Sequence, residues 1–147
     1  MQAEGMVHAL EITHSLLKPG GLLIDIHPNG KHPRVEVHRD GAVRLAGLVD
    51  DLDDFEDYFN ADQALAEVNS RGLFLLEQEA FFSFGYHADT MTEMTDHIAA
   101  EWSSAVLSPE TTARAEQLLG EPEEGKEIDI REPIRITCFR ALTPASP

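Results

Sequence analysis

Asp25 and His27 alternate with Ile24 and Ile26 in the stretch LLIDIHP, residues 22–28. They lie near the carboxyl end of a short apolar run, the place where open α/β sheets hold their ligands. An imidazole there can take a proton as a general base. The competing reading is local: Asp25 caps or pairs with its neighbours, and His27 is a satisfied loop histidine.

The other polar clusters are weaker. His27, His32 and His38, with Asp25 as a fourth ligand, invite a metal, but their spacing is neither that of a helical His pair nor that of a compact zinc loop. His38 also falls beside Glu36 and Arg44 in a hairpin, away from His27, so no metal is expected. The run DDLDDFED, residues 50–57, lacks the glycine and the terminal glutamate of a calcium loop. Acids at a helix N-terminus, with the rest solvated, explain it. His87 and Asp89 mark a strand-to-helix junction at which Asp89 or Thr90 caps and Glu93 completes a capping box. Trp102, Phe81, Phe82 and Phe84 either line an apolar pocket or sit in the core, the commoner place for such spacings. Cys138 reads as an inert buried thiol, and Ser15 and Ser83 have no base beside them.

The chain has 147 residues, 27 acids against 11 bases, and a formal net charge of −16. That length suits one domain with a real core, burying about 70% of the extended-chain surface. So negative a surface repels phosphate backbones and anionic lipid, which argues against nucleic-acid binding. One cysteine allows no internal disulfide framework. No apolar run is long enough to span a membrane, and MQAEGMVHALEITH lacks the bases of a secretory signal. A cytoplasmic location follows as the default.

The elements that must position these side chains follow from periodicity. Apolar residues from Met6 to Leu17 recur at helical spacing, and Pro19 stops the helix at Lys18. Gly20-Gly21 allows a sharp reversal into LLIDI, an almost wholly apolar run that suits a strand buried on both faces. PRVEVHRDGAVRLAGLV is a hairpin over 34–49. A three-residue loop, Arg39 to Gly41, pairs His38 with Ala42 and Val37 with Val43, giving one apolar and one polar face. A helix is expected over 54–70, a strand over 73–86, helices over 90–104 and 109–119 with Ser108 as cap, and a last strand over 126–142. In that strand Ile128, Ile130, Ile134, Ile136 and Cys138 share a face, with an interruption at Pro133.

A helix, then LLKPGG, then a buried strand resembles the second half of class I S-adenosylmethionine-dependent methyltransferases. The motif-level match covers residues 15–26; the element order covers most of the chain. The resemblance implies an α/β fold, a partial Rossmann-like methyltransferase sheet with strands equivalent to the fifth, sixth and seventh. The hairpin is then an insert on the substrate side, with flanking helices and a final antiparallel strand, all within one domain, 1–147. It also implies that His27 looks into a substrate pocket. The family's glycine-rich cofactor turn and ribose-binding acid belong to strands that would precede Met1, and no G-x-G-x-G pattern occurs here. The isolated chain is therefore expected to hold no cofactor. S-adenosylmethionine would bind only with a complementing half.

The expected function is the substrate-side half of such a methyltransferase, with Asp25 and His27 the only catalytic candidates. The alternatives are an inactive dimerising or partner-binding module, and a small-ligand-binding protein using the Phe-rich strand and hairpin. Because the fifth strand lacks its fourth-strand neighbour, Leu22–Ile26 is expected to present an open edge. A second copy or a complementing protein would cover it.

Overall fold

The computed structural model describes residues 2–51, 55–120 and 125–143. Its elements are α1 (Ala3–Leu16), β1 (Leu22–Pro28), β2 (Arg34–Arg39), β3 (Ala42–Leu48), β4 (Asp50–Asp51), α2 (Phe55–Ser70), β5 (Phe74–Ala88), α3 (Met91–Glu101), β6 (Ala105–Val106), α4 (Pro109–Leu119) and β7 (Lys126–Ala141). The fold is α/β. Every pairing with an assigned register is antiparallel. Two compact units form, one from residues 1–30, 55–82 and 134–147, the other from 31–54 and 83–133; β5 and β7 contribute to both.

In unit one, α1 ends where Pro19 requires, and Gly20 takes a left-handed φ of 78°. Gly21 has no room for a side chain, since a Cβ there would meet the Lys18 carbonyl oxygen at 2.9 Å. The turn is tied to the end of β7, with the Gly20 N–H donating to the Ala141 carbonyl and the Ala141 N–H to the Gly21 carbonyl. β1 then runs antiparallel to β7, from Leu22 opposite Arg140 to Pro28 opposite Ile134. β5 also pairs with β7, and the ion pairs Arg140–Glu77 and Arg135–Glu79 descend along one strand as they climb the other. Helices α1 and α2 cover one side of these strands. Val7, Ala64, Leu65 and Val68 pack there with Phe74, Phe139 and Ala141.

The other side is not covered by the described residues, which corrects the expectation of a strand buried on both faces. Leu22, Ile24 and Ile26 are 49%, 58% and 57% exposed. The apolar run LLIDI has the composition of a central strand, but its even positions meet no helix. Ile136 and Cys138 are likewise only half-buried beside them, so Cys138 is not the sealed thiol the pattern suggested. In this unit the buried positions of β7 are Ile134, Thr137, Phe139 and Ala141. Phe81, Phe82 and Phe84 are exposed rather than core. Beyond its pairing with β7, β1 ends the strand order among the described residues.

Unit two is built on the β2–β3 hairpin, and its register corrects the expected one. Arg39 faces Ala42, His38 faces Val43 and Val37 faces Arg44, with a bulge at Val35/Glu36. Asp40 and Gly41 both have positive φ, 52° and 76°, as a two-residue type I′ turn requires. The turn prevails because Val43 and Leu45 stay exposed, so facial segregation on β3 had little burial to gain. β2 pairs with β7 as far as Arg131, and β1 takes over from Ile134. Pro133, which has no N–H to give, sits at that change-over.

Val35, Val37, Met94, Ile98, Ala115, Ile128 and Ile130 form the core of unit two. The caps of its helices match the sequence. Thr90 Oγ1 accepts from the Glu93 N–H at 3.2 Å, and Ser108 Oγ from the Thr111 N–H at 3.1 Å. Helix α4 approaches β3 so closely that a Cβ on Gly47 would lie 2.8 Å from Thr111 Cγ2. The acid run is less uniform than expected. Asp51 lies in β4, is buried, and accepts a hydrogen bond from the Trp102 indole N–H at 3.1 Å; residues 52–54 lie outside the described set.

Candidate functional site

His27 and Asp25 do come together, on the helix-covered side of β1. The His27 Nδ1–H donates to Asp25 Oδ2 at 2.5 Å, and its Nε2–H donates to Asp62 Oδ1 at 3.0 Å. Residues two apart on a strand share a side, which explains the first contact. The second arises because α2 lays Asp62 over that side. Arg135, opposite His27 in the β1–β7 register, donates to Asp62 Oδ1 at 2.5 Å and to Glu79 Oε2 at 2.9 Å. The Tyr58 ring stacks over the imidazole with 6.4 Å between centroids.

The result is a chain of alternating charge: Asp25, His27, Asp62, Arg135, Glu79. The hydrogen bond it donates to Asp25 raises the pKa of the His27 imidazolium above the ordinary histidine value. Partial burial opposes this, and the charges of Asp25 and Asp62 reinforce it. Ionised carboxylates only accept, so a ring that satisfies both must carry both protons. In this arrangement His27 presents no lone pair. It is a held cation and a latent proton donor, paired locally with Asp25 as the second of the two sequence readings has it.

Beside Asp25 lies a cavity of about 210 Å³, its other walls Met6, Ala9, Leu10, Ala61, Ala64 and Leu65. Thr137, opposite Asp25 in β7, has a buried hydroxyl with no hydrogen-bond partner among the described residues. A second, open groove of about 780 Å³ lies along Leu22, Ile24, Ile136 and Cys138, flanked by Glu77 to Ala80.

The cavity beside Asp25 does not fit S-adenosylmethionine as its residues stand. The cavity is smaller than the roughly 300 Å³ at which pockets for drug-sized ligands begin, and it offers one carboxylate among alkyl groups. The turn glycines are already engaged, Gly20 with Ala141 and Gly21 with the Lys18 carbonyl.

The other histidines part company with His27. His32 Nδ1 bonds the Val49 carbonyl at 3.0 Å. His38 joins Glu36, Glu127 and Asp129 in unit two, and His87 reaches the same Asp129 at 2.5 Å. Ser15 Oγ donates back to the Ile12 carbonyl of its own helix at 2.6 Å. Sequence reasoning missed Asp62, Arg135 and Glu79. Glu79 and Arg135 leave a local trace in the alternation along β5 and β7, whereas Asp62 lies on α2. Comparison with protein-family models, with curated proteins and with solved structures gives no match for this chain, so its chemistry rests on its own residues.

Proposed function

We propose that unit one is the substrate-side half of a methyltransferase-type α/β fold, working only when further polypeptide completes it. The observation that carries this reading is the bare side of β1 and β7. Antiparallel strands can leave one side to water, but that side is then usually polar; here α1 and α2 cover one side, and the open one carries Leu22, Ile24 and Ile26, apolar and about half exposed, as at surfaces that meet further polypeptide. A helix layer outside these 147 residues, whether continuous with them or separate, would bury them. It would also bring the glycine-rich turn and ribose-binding acid. The KPGG turn into β1 and a last strand antiparallel to β1 agree with this reading.

A second reading is favoured by one feature. His27, with both ring nitrogens engaged by carboxylates, has none free for a substrate, which suits a partner-binding module without catalysis.

The test is the coding sequence adjoining this chain, followed by isothermal titration. A glycine-rich strand–turn–helix encoded upstream or next door, and S-adenosylmethionine binding only after that polypeptide is co-expressed, are the expected results. Binding by the chain alone would contradict the proposal. A co-expressed glycine-rich half that forms a complex without binding the donor would favour the non-catalytic module.

A further inference from the structure

Four donor groups in unit two converge on one side of three neighbouring strands. Glu127 and Asp129, two apart on β7, point the same way. β2 pairs with β7 so that His38 stands opposite Glu127 and Glu36 opposite Asp129, and β5, which also pairs β7, brings His87. His38, Glu127 and Asp129 each offer a ligand atom within 4.8 Å of the others. Donors fixed by strand register are held more rigidly than donors on loops.

The contacts within this cluster are of two lengths, all within ion-pair range. His38 Nε2 lies 3.1 Å from Asp129 Oδ2 and His87 Nδ1 lies 2.5 Å from Asp129 Oδ1, which are hydrogen bonds. Glu127 Oε1 is different. It faces His38 Nδ1 at 3.9 Å and His87 Nδ1 at 3.7 Å, too far for hydrogen bonds. Ligands at about 2.0–2.2 Å from a tetrahedral ion are about 3.4 Å apart; the 3.7 Å gap between His87 and Glu127 is near that, and His38 can offer one ring nitrogen within 4.8 Å of both carboxylates.

Charge agrees. Glu36, Glu127 and Asp129 stand against Arg34 and Arg131, and three acids less two bases leave one negative charge with neutral imidazoles. Asp129 is fully buried, and Arg131 steadies it at 3.1 Å. Arg131 reaches that place over Gly85, where a Cβ would meet the guanidinium at 3.0 Å. This is the outer support that orients metal ligands elsewhere.

We propose that His38, His87, Glu127 and Asp129 bind one divalent transition-metal ion of the zinc or iron(II) class. Two imidazoles with two carboxylates favour such ions over magnesium or calcium, which prefer oxygen donors. His87 and Glu127 have side chains 50% and 41% exposed, so one side of the ion faces water. Catalytic metals keep such an open side.

The test uses the tag-free full chain, stripped with chelator, titrated with Co²⁺ calorimetrically and by its visible absorption. One ion per chain is expected. His87→Ala and Glu127→Gln, both at exposed positions, are expected to weaken binding by at least about tenfold. His8→Ala, an exposed histidine elsewhere, is expected to leave it unchanged. Thermal melts confirm that each variant is folded. Absence of Co²⁺ binding, equal affinity in the folded His87→Ala and Glu127→Gln variants, or Mg²⁺ binding as tight as Co²⁺ would each overturn the assignment.

Discussion

Replacing Ile24 and Ile26 together by serine separates what they contribute to the chain from what they hold in reserve. Burying an aliphatic side chain completely is worth about 1.5–3 kcal/mol. These two are 58% and 57% exposed, so about four-tenths of that value acts within the chain, roughly 1–2.5 kcal/mol for the pair. The other six-tenths, roughly 2–3.5 kcal/mol, is released only when something covers them. Urea denaturation of the isolated chain should therefore show the smaller loss. A complex formed through this face should dissociate roughly 30- to 400-fold more readily in the variant. Phe74→Ala, in the sealed core beneath α1 and α2, provides the scale, at about 3–5 kcal/mol. If the isoleucine pair costs the isolated chain about 4 kcal/mol or more, as two sealed core deletions would, the face is already covered and the reasoning fails.

Three further outcomes follow from the same geometry. His27 has a raised pKa in the folded chain, mainly through Asp25. Its stabilisation is thus full below about pH 6.5, the unfolded value, and is lost as pH rises through the folded value. Melting curves of wild type and His27→Gln should converge toward high pH, and divergence there would count against the Asp25–His27–Asp62 bridge. Gly47→Ala should destabilise by about 1–3 kcal/mol, the range for overpacking, because its methyl would enter the Thr111 side chain; a neutral result in urea would mean that α4 sits farther from β3. Asp51→Ala should cost about 1–3 kcal/mol by leaving the Trp102 indole N–H unpaired, with a shift in tryptophan fluorescence; an unchanged spectrum and stability would dismiss that bond.

Signals that act over three or four residues were readable in the sequence. Pro19 and the paired glycines located the end of α1, Thr90 with Glu93 the start of α3, and Ser108-Pro109 the start of α4. Pro133 marked the change of partner along β7. What escaped depends on residues far apart in the chain. His27 meets Asp62 35 positions away, Asp62 meets Arg135 73 away, and His87 meets Asp129 42 away. No local spacing encodes those meetings, and a reading of His27, His32 and His38 with Asp25 could not bring His87 and Asp129 together. The hairpin register was misjudged for another reason: facial segregation was weighed as though β3 were buried, whereas Asp40-Gly41 set the turn. Composition also misled at β1, because an all-apolar strand reads alike whether its second face is covered by its own chain or awaits a cover.

Residue-resolved amide exchange, measured by NMR at a concentration where light scattering reports a monomer, tests the proposed incompleteness of unit one most directly. Along Leu22–Pro28 the amides should alternate, those bonded to β7 slow and those on the free edge fast, while Thr137 to Phe139, deeper in the pairing, stay slow throughout. Uniformly slow exchange along β1 in that monomer would mean that its free edge is already paired, and that no further strand is needed.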